Sequence, residues 1–120
     1  MHTSLTHAIK RVTASPDGSE LTAEFIFSKD DPIFAGHFPG RPVIPAVYQV
    51  GVCRKIAERF VKSAFTGIAK SRFSRMCVPD APYEVTISLS RSENSVEAEC
   101  SIHSPAEKAL CSKMVLLFAP

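Results

Sequence analysis

The chain has 120 residues, of which 45% are apolar, which is enough for one hydrophobic core and for a single domain over residues 1–120. Its 14 basic and 12 acidic residues give a net charge of +2 without a run of like charges, which argues against nucleic-acid binding. No window approaches about 18 uninterrupted apolar residues and the first residues lack an apolar signal core, so we expect a soluble, cytoplasmic protein with no membrane partner.

The chain contains four cysteines, and their spacing does not match that of metal ligands or redox pairs. No two of them have the C-x-x-C arrangement of a zinc or thioredoxin-like site. We interpret them as small buried apolar side chains in a reducing compartment, and we expect neither a metal nor a cofactor. They are Cys53, Cys77, Cys100 and Cys111.

Two short strands are predicted near the start of the chain. His7 to Ala14 is followed by Glu20 to Phe27, in which apolar residues mostly alternate with polar ones. The sequence Pro16-Asp17-Gly18 between them is typical of a turn. The two segments are therefore predicted to form a β-hairpin.

The segment from Phe34 to Pro45 is predicted to be an ordered, extended loop. Proline recurs at every third position toward its end, and each proline fixes the backbone and removes an N–H donor. Such a stiff segment can hold a side chain in place, and His37 is the candidate. Gly36 directly before it permits a backbone angle or a close approach that a side chain would block.

One helix is predicted from Ala46 to Val61, with Pro45 suited to its first turn. Apolar residues recur along it at spacings of three and four, whereas charged residues enter only in its second half. We therefore expect the helix to begin buried and to end at the surface. The recurring apolar residues are Val47, Val50, Cys53, Ala57, Phe60 and Val61.

Four further strands are predicted after the helix, separated by turn sequences rich in proline and small polar residues. One helix followed by an antiparallel meander is an α+β plan. The predicted strands are Ala64 to Cys77, Tyr83 to Arg91, Ser95 to Ser104 and Ala109 to Phe118.

A family resemblance is carried by two stretches, FAGHFPGRPVIPAVYQV and, further along the chain, FTGIAKSRFSRMCVPDAPYEVTISL. From about Asp31 to the C-terminus the chain resembles the β-hydroxyacyl-acyl-carrier-protein dehydratases. That resemblance implies the hot-dog fold, in which an antiparallel β-sheet wraps around one long central α-helix. It also implies a lyase that removes water from 3-hydroxyacyl thioesters in fatty acid or related lipid or polyketide biosynthesis.

The resemblance assigns the base of this reaction to His37. In the family a histidine removes the proton next to the thioester carbonyl, and an imidazole with a pKa of about 6.5 is largely neutral at physiological pH. Backbone N–H groups at the helix start would stabilise the carbonyl oxygen as it gains negative charge. The expected oxyanion and substrate-binding residues are Gly36, Phe38, Pro45, Ala46 and Val47.

Gly51 departs from the family pattern. Counted from the histidine, the glutamate or aspartate that protonates the departing hydroxyl falls at this position, and glycine has no side chain to do so. Glu58 lies about 10 Å further along the helix, at about 1.5 Å per residue, and is therefore too far away to replace the missing acid. Tyr48, one turn before Gly51, carries a phenol and is the candidate substitute acid.

Apolar residues near the loop have two interpretations. Core packing is the default for Phe34, Phe38, Ile44, Val47 and Val50, and they would touch an acyl chain only if the helix lines a tunnel. Three further histidines are interpreted as surface or packing residues: His2, His7 and His103.

The expected substrate is an acyl thioester on acyl carrier protein or on coenzyme A, and the expected assembly is a homodimer or larger oligomer. In the family the histidine and the acid of one site come from different subunits, so a heterodimer is also open. Two alternatives to the dehydratase stay open, a hot-dog acyl thioesterase and a catalytically incomplete acyl-binding subunit. An acidic carrier protein would be attracted to exposed basic side chains, and salt would weaken its docking. The candidates are Arg54, Lys55, Arg59, Lys62, Lys70, Arg72 and Arg75.

Overall fold

A six-stranded sheet and one helix form the computed structural model, which describes residues 5–34 and 42–120. Two 3-10 turns, Thr6–Ala8 and Pro32–Phe34, flank the first hairpin. The helix is α1 (Ala46–Ala57), and the strands are β1 (Ile9–Ala14), β2 (Glu20–Phe25), β3 (Phe65–Phe73), β4 (Tyr83–Arg91), β5 (Val96–Ser104) and β6 (Ala109–Phe118).

The strands lie in the order β1-β2-β4-β5-β6-β3, and every neighbouring pair is antiparallel. The chain passes from β2 through α1 to β3 at the opposite edge of the sheet, and then returns to place β4 beside β2. The β1–β2 hairpin and the β4–β5–β6 meander are those predicted from the sequence. The observed plan is therefore the α+β arrangement of one sheet and one helix.

Residue alternation along β4 and β5 places the core on one face of the sheet. Val85 and Ile87 on β4 and Cys100 and Ile102 on β5 are buried, and the residues between them are exposed or half-buried. This one-sided burial is typical of an antiparallel sheet. Within the described residues, no helix has the length and apolarity needed to cross a membrane.

Most element boundaries lie close to the predicted ones, and β4 and β6 have the predicted limits. The helix ends at Ala57 rather than at Val61, because the backbone there forms a 3-10-type turn. The N–H of Phe60 donates to the carbonyl of Ala57, three residues back, at 2.9 Å. The first strand starts later than predicted because Thr6–Ala8 form a 3-10 turn, and β3 is shorter than predicted.

The burial of α1 runs opposite to the prediction. Val47 at its start is 69% exposed, whereas Val52 and Ile56 in its second half are fully buried. Gln49 belongs to the buried face, and Val50 is only half-buried. The prediction was wrong because periodicity shows which residues are apolar and does not show which part of the helix the sheet covers. The apolar start of α1 is therefore left at the surface of this chain.

All four cysteines are free and buried, as predicted. Burial raises the pKa of the Cys77 thiol to about 12 and raises the pKa of Cys111 as well. The pKa of Cys53 lies well above its ordinary value because of a hydrogen bond with Cys100 and because of burial. With their raised pKa values these three thiols stay protonated at neutral pH and pack as small apolar side chains.

We expect the native protein to resist thiol alkylation. At a pH of about 8 iodoacetamide should modify none of the four cysteines of the folded chain, because a reactive cysteine must be both ionised and accessible. All four should react once the protein is unfolded in guanidinium. Intact mass spectrometry counts the added groups, and labelling of any native cysteine at the rate of a free thiol would contradict the buried arrangement.

Candidate active site

A cleft of about 340 Å³ opens at the start of α1. Pro45 and Ala46 line it where the chain enters the helix, and Phe73 and Met76 line it from the end of β3 and the segment that follows. The sequence patterns did not single out Phe73 or Met76, although both are large apolar residues in an otherwise polar stretch. The remaining lining residues are Val43, Ile44, Gln49, Ser74 and Arg75.

The predicted site residues fall partly inside the described structure. Pro45 and Ala46 lie in the cleft, and Val47 follows them at the surface. Phe34 and Ile44 are buried in the core cluster, in agreement with the default interpretation. The predicted base and its two neighbours lie outside the described residues: they are Gly36, His37 and Phe38.

The helix start presents backbone donors that the helix itself does not use. Pro45 is the N-cap of α1, and its carbonyl accepts from the N–H of Tyr48 at 3.0 Å and from the N–H of Gln49 at 3.3 Å. The N–H groups of Ala46 and Val47 have no acceptor among the described residues. Together with the positive end of the helix dipole, these two groups can stabilise a negatively charged oxygen.

A buried polar pair holds the helix start in place, and sequence reasoning missed it. The amide nitrogen of Gln49 donates to the carbonyl of Ile44 at 3.2 Å, and the hydroxyl of Ser112 donates to the amide oxygen of Gln49 at 3.0 Å. The N–H of Ile44 donates to the carbonyl of Cys77 at 2.8 Å. These bonds join the residue before Pro45 to β6 and to the segment after β3. A glutamine in the apolar half of the helix was the available signal.

The described part of the cleft contains no carboxylic acid, since neither aspartate nor glutamate is among its lining residues. Gly51 is half-buried, and the side chain of Leu5 fills the space in front of it. Glu58 is engaged at the far end of the helix, where its carboxylate accepts a hydrogen bond from Arg54 at 2.9 Å. Tyr48 packs half-buried against the core.

The predicted basic residues are all exposed; Arg75 lines the cleft, and the other six lie in two regions. Lys70 and Arg72 on β3 line, with Lys113 on β6 and one acidic neighbour, a depression of about 250 Å³. The other region is the end of α1 and the turn after it, where the guanidinium of Arg54 lies 4.3 Å from the ring centroid of Phe65. Both regions are accessible to a large acidic partner.

Known proteins with similar sequences are dehydratases. The ApeI-like family, described as ApeI dehydratase, matches residues 13–114. The 3-hydroxyacyl-[acyl-carrier-protein] dehydratase FabZ of Pelotomaculum thermopropionicum is 32% identical over 97 residues, which cover 73% of this chain and 69% of that protein. FabZ of Macrococcus caseolyticus is 30% identical over 113 residues, covering 87% of this chain and 78% of that protein. The match to FabZ of Cereibacter sphaeroides spans 50% of that protein.

Solved structures confirm the predicted hot-dog fold. The dehydratase heterocomplex ApeI:P from Xenorhabdus doucetiae matches with a TM-score of 0.73 at 17% identity, over 88% of this chain and 92% of that chain. The putative thioesterase yhdA from Lactococcus lactis matches with a TM-score of 0.78 at 11% identity, over 98% of this chain and 97% of that chain. At such identities the likeness shows the fold alone and does not favour thioester hydrolysis.

The family match covers most of the chain, and it includes both the predicted His37 and the helix start that borders the cleft. The relatives matched by sequence support a dehydratase-like function, in agreement with the resemblance seen in the sequence. The chain belongs to the ApeI-like dehydratase family.

Proposed function

We propose that this protein is a lyase that removes water from 3-hydroxyacyl thioesters carried by acyl carrier protein, in fatty acid or related lipid or polyketide biosynthesis. His37 acts as the base. The observation that carries the proposal is the family match over residues 13–114, which spans His37 and the helix start. The backbone donors of Ala46 and Val47, at the helix start that borders the cleft, support the same chemistry.

The reaction requires a base, an oxyanion site and an acid. The imidazole of His37 takes the proton from C2, and the electron pair moves toward the thioester oxygen, which accepts hydrogen bonds from Ala46 and Val47. The bond between C3 and oxygen then breaks, the double bond between C2 and C3 forms, and the hydroxyl leaves as water after receiving a proton. No carboxylic acid among the described lining residues supplies that last proton.

We propose that a partner subunit of the same fold supplies the acid. β3 is an edge strand whose residues from Ile68 to Phe73 are exposed, so its free side can pair with a strand of a second chain. A homodimer would lack the acid in both of its sites, which favours a heteromer, and the structurally similar ApeI:P is itself a heterocomplex. Large apolar side chains remain exposed near this edge and at the helix start: they are Val47, Ile68, Phe73, Met76 and Val78.

We further propose that acyl carrier protein docks on the exposed basic side chains, among them Lys70, Arg72 and Lys113. Carrier proteins are acidic, whereas a coenzyme A thioester offers a much smaller charged surface. Raising the salt concentration from about 0.05 to about 0.5 M should therefore raise KM severalfold for the carrier-bound substrate and change it little for the coenzyme A thioester. Equal salt dependence for both substrates would argue against this docking surface.

The cytoplasm is the proposed place of action. All four cysteines are free and buried, and none of them forms a disulfide. Unpaired thiols are typical of reducing compartments. Detection of the protein with a periplasmic or secreted fraction of its source cells would contradict the assignment.

The function is tested by following two products from the same substrates. The tagged chain is purified from its own cells, so that a partner stays bound, and is incubated with 3-hydroxyacyl and enoyl thioesters on acyl carrier protein. Double-bond formation is followed by absorbance, and thiol release by a thiol reagent. Double-bond formation without thiol release supports the proposal, whereas thiol release alone supports a thioesterase and overturns it. If neither product forms, the result supports a silent acyl-binding subunit.

Native mass spectrometry of the same preparation tests the partner. A second subunit of related sequence supports the heteromer. An active homodimer without any second subunit would overturn it. In that event Tyr48→Phe decides whether the phenol is the acid, since unchanged turnover in this variant would remove Tyr48 from consideration.

A further inference from the structure

We propose that Leu5 occupies the place of the acidic side chain that is absent at Gly51, so that this chain contributes only the base half of a site. A Cβ added at Gly51 would overlap Cδ1 of Leu5, and a second Leu5 atom, Cγ, lies 3.9 Å from it. Apart from the adjoining helix residues, no other described residue comes within 4 Å of that point. The space that an acidic side chain would enter is filled by one apolar side chain.

The backbone of Leu5 is anchored, and its side chain is packed in the core. It is 7% exposed and belongs to the core cluster. Its carbonyl accepts a hydrogen bond from the N–H of Ala8 at 3.1 Å, and the carbonyl of Ala8 accepts one from the N–H of Ile26 at 3.0 Å. These bonds join the turn Thr6–Ala8 to the chain just beyond β2, so the backbone of Leu5 is anchored and its side chain must rotate within the packed core to clear an added Cβ.

A second anchor ties the same turn to the segment that leads to His37. Nε2 of His7 lies 2.6 Å from one carboxylate oxygen of Asp31, and the other oxygen accepts a hydrogen bond from the N–H of Ile33 at 3.0 Å. The Asp31 side chain is only 4% exposed whereas the His7 side chain is 54% exposed, so this contact lies at the boundary between the interior and the surface. The turn that carries Leu5 and the start of the segment toward His37 are therefore held together.

The Leu5 contact opposes any side chain at position 51. Glycine is a poor residue in a helix interior, so alanine would be favoured there by helix propensity alone. That gain is offset if the new Cβ must displace a packed leucine. An acidic residue would meet a further obstacle, because its ionised carboxylate would lie against an apolar side chain. Gly51→Glu alone is therefore not sufficient to rebuild an acid, and this functional part of the inference rests on the proposed dehydration.

Melting temperatures test the contact without reference to activity. Gly51→Ala is made in the wild type and in a Leu5→Ala background, with Leu5→Val as the milder replacement if Leu5→Ala does not fold. Gly51→Ala should change Tm more favourably in the Leu5→Ala background than in the wild type, and the difference between the two changes should be about 3 °C or more. Leu116→Ala is the matched control, because Leu116 is fully buried but is not near the added Cβ. The same change in all backgrounds would overturn the inference.

Turnover tests the functional part with the same carrier-bound thioesters. In homomers of this chain prepared without the partner subunit, the Leu5→Ala/Gly51→Glu variant is expected to interconvert 3-hydroxyacyl and enoyl thioesters at least about tenfold faster than Gly51→Glu alone. Equal, measurable rates in both variants would overturn the role given to Leu5. A third outcome is that the effect of Gly51→Ala on Tm depends on Leu5 but neither variant carrying Gly51→Glu shows turnover. This outcome would support the Leu5 contact and count against the proposed dehydration, so the two failures are distinguishable.

Discussion

Replacing His37 with alanine is expected to lower the rate of double-bond formation by about a thousandfold in the assembled protein. The proton on C2 is weakly acidic, and the described residues that line the cleft offer no other base, since the one ionisable side chain among them is the guanidinium of Arg75, which only donates hydrogen bonds. The rate is measured as kcat on a carrier-bound 3-hydroxyacyl thioester. In the wild type it should fall as the solution becomes acidic, because only the neutral imidazole accepts a proton.

Two further variants make this test specific. His103 is half-buried on β5 and is not part of the cleft, so His103→Ala should leave kcat unchanged. His37→Gln keeps a polar side chain of similar size but cannot take a proton at neutral pH, so it should be as inactive as His37→Ala. If His37→Ala keeps more than about a tenth of the wild-type rate, the base lies elsewhere.

Replacing Gln49 with leucine is expected to lower the free energy of unfolding by about 2 to 4 kcal/mol. Leucine has a similar volume but removes both hydrogen bonds of the amide, and it leaves the hydroxyl of Ser112 and the carbonyl of Ile44 without these partners in the interior. Each buried group left unsatisfied costs about 1 to 3 kcal/mol. Urea unfolding at constant pH measures the change. Turnover should fall as well, because the same bonds position the residue before Pro45.

Controls on the same helix separate this effect from a general response to leucine. Lys55 is exposed, so Lys55→Leu should change the free energy of unfolding by no more than about 0.5 kcal/mol. Gln49→Glu should also destabilise at neutral pH, since an ionised carboxylate accepts from Ser112 but cannot donate to Ile44. A loss below about 1 kcal/mol for Gln49→Leu would show that the bonds do not hold the helix start in place.

Local patterns were sufficient for much of the fold. The turn residues between the strands separated β4, β5 and β6 and predicted the limits of β4 and β6. The Pro-Asp-Gly sequence predicted the first hairpin, and Gly18 at its tip has a φ of 75°, which glycine adopts without strain. These features depend on neighbouring residues along the chain, so a single sequence contains them.

The candidate site was predictable only where it follows a continuous motif. The helix start after Pro45 and its backbone donors were expected from the sequence, and they border the cleft. The role of His37 stays a prediction, because His37 lies outside the described residues. Phe73 and Met76 were missed because they reach the cleft from a strand that is distant along the chain.

By itself, the sequence determined the α+β plan, the family, the apolar and charged halves of the helix, and the absence of an acidic side chain at position 51. Only the tertiary structure decided which half of α1 is buried, that Gln49 bonds to Ser112, and that Leu5 fills the space beside Gly51. Each of these depends on contacts between residues that are far apart in the chain. Periodicity records the polarity of one segment and carries no information on which other segment packs against it.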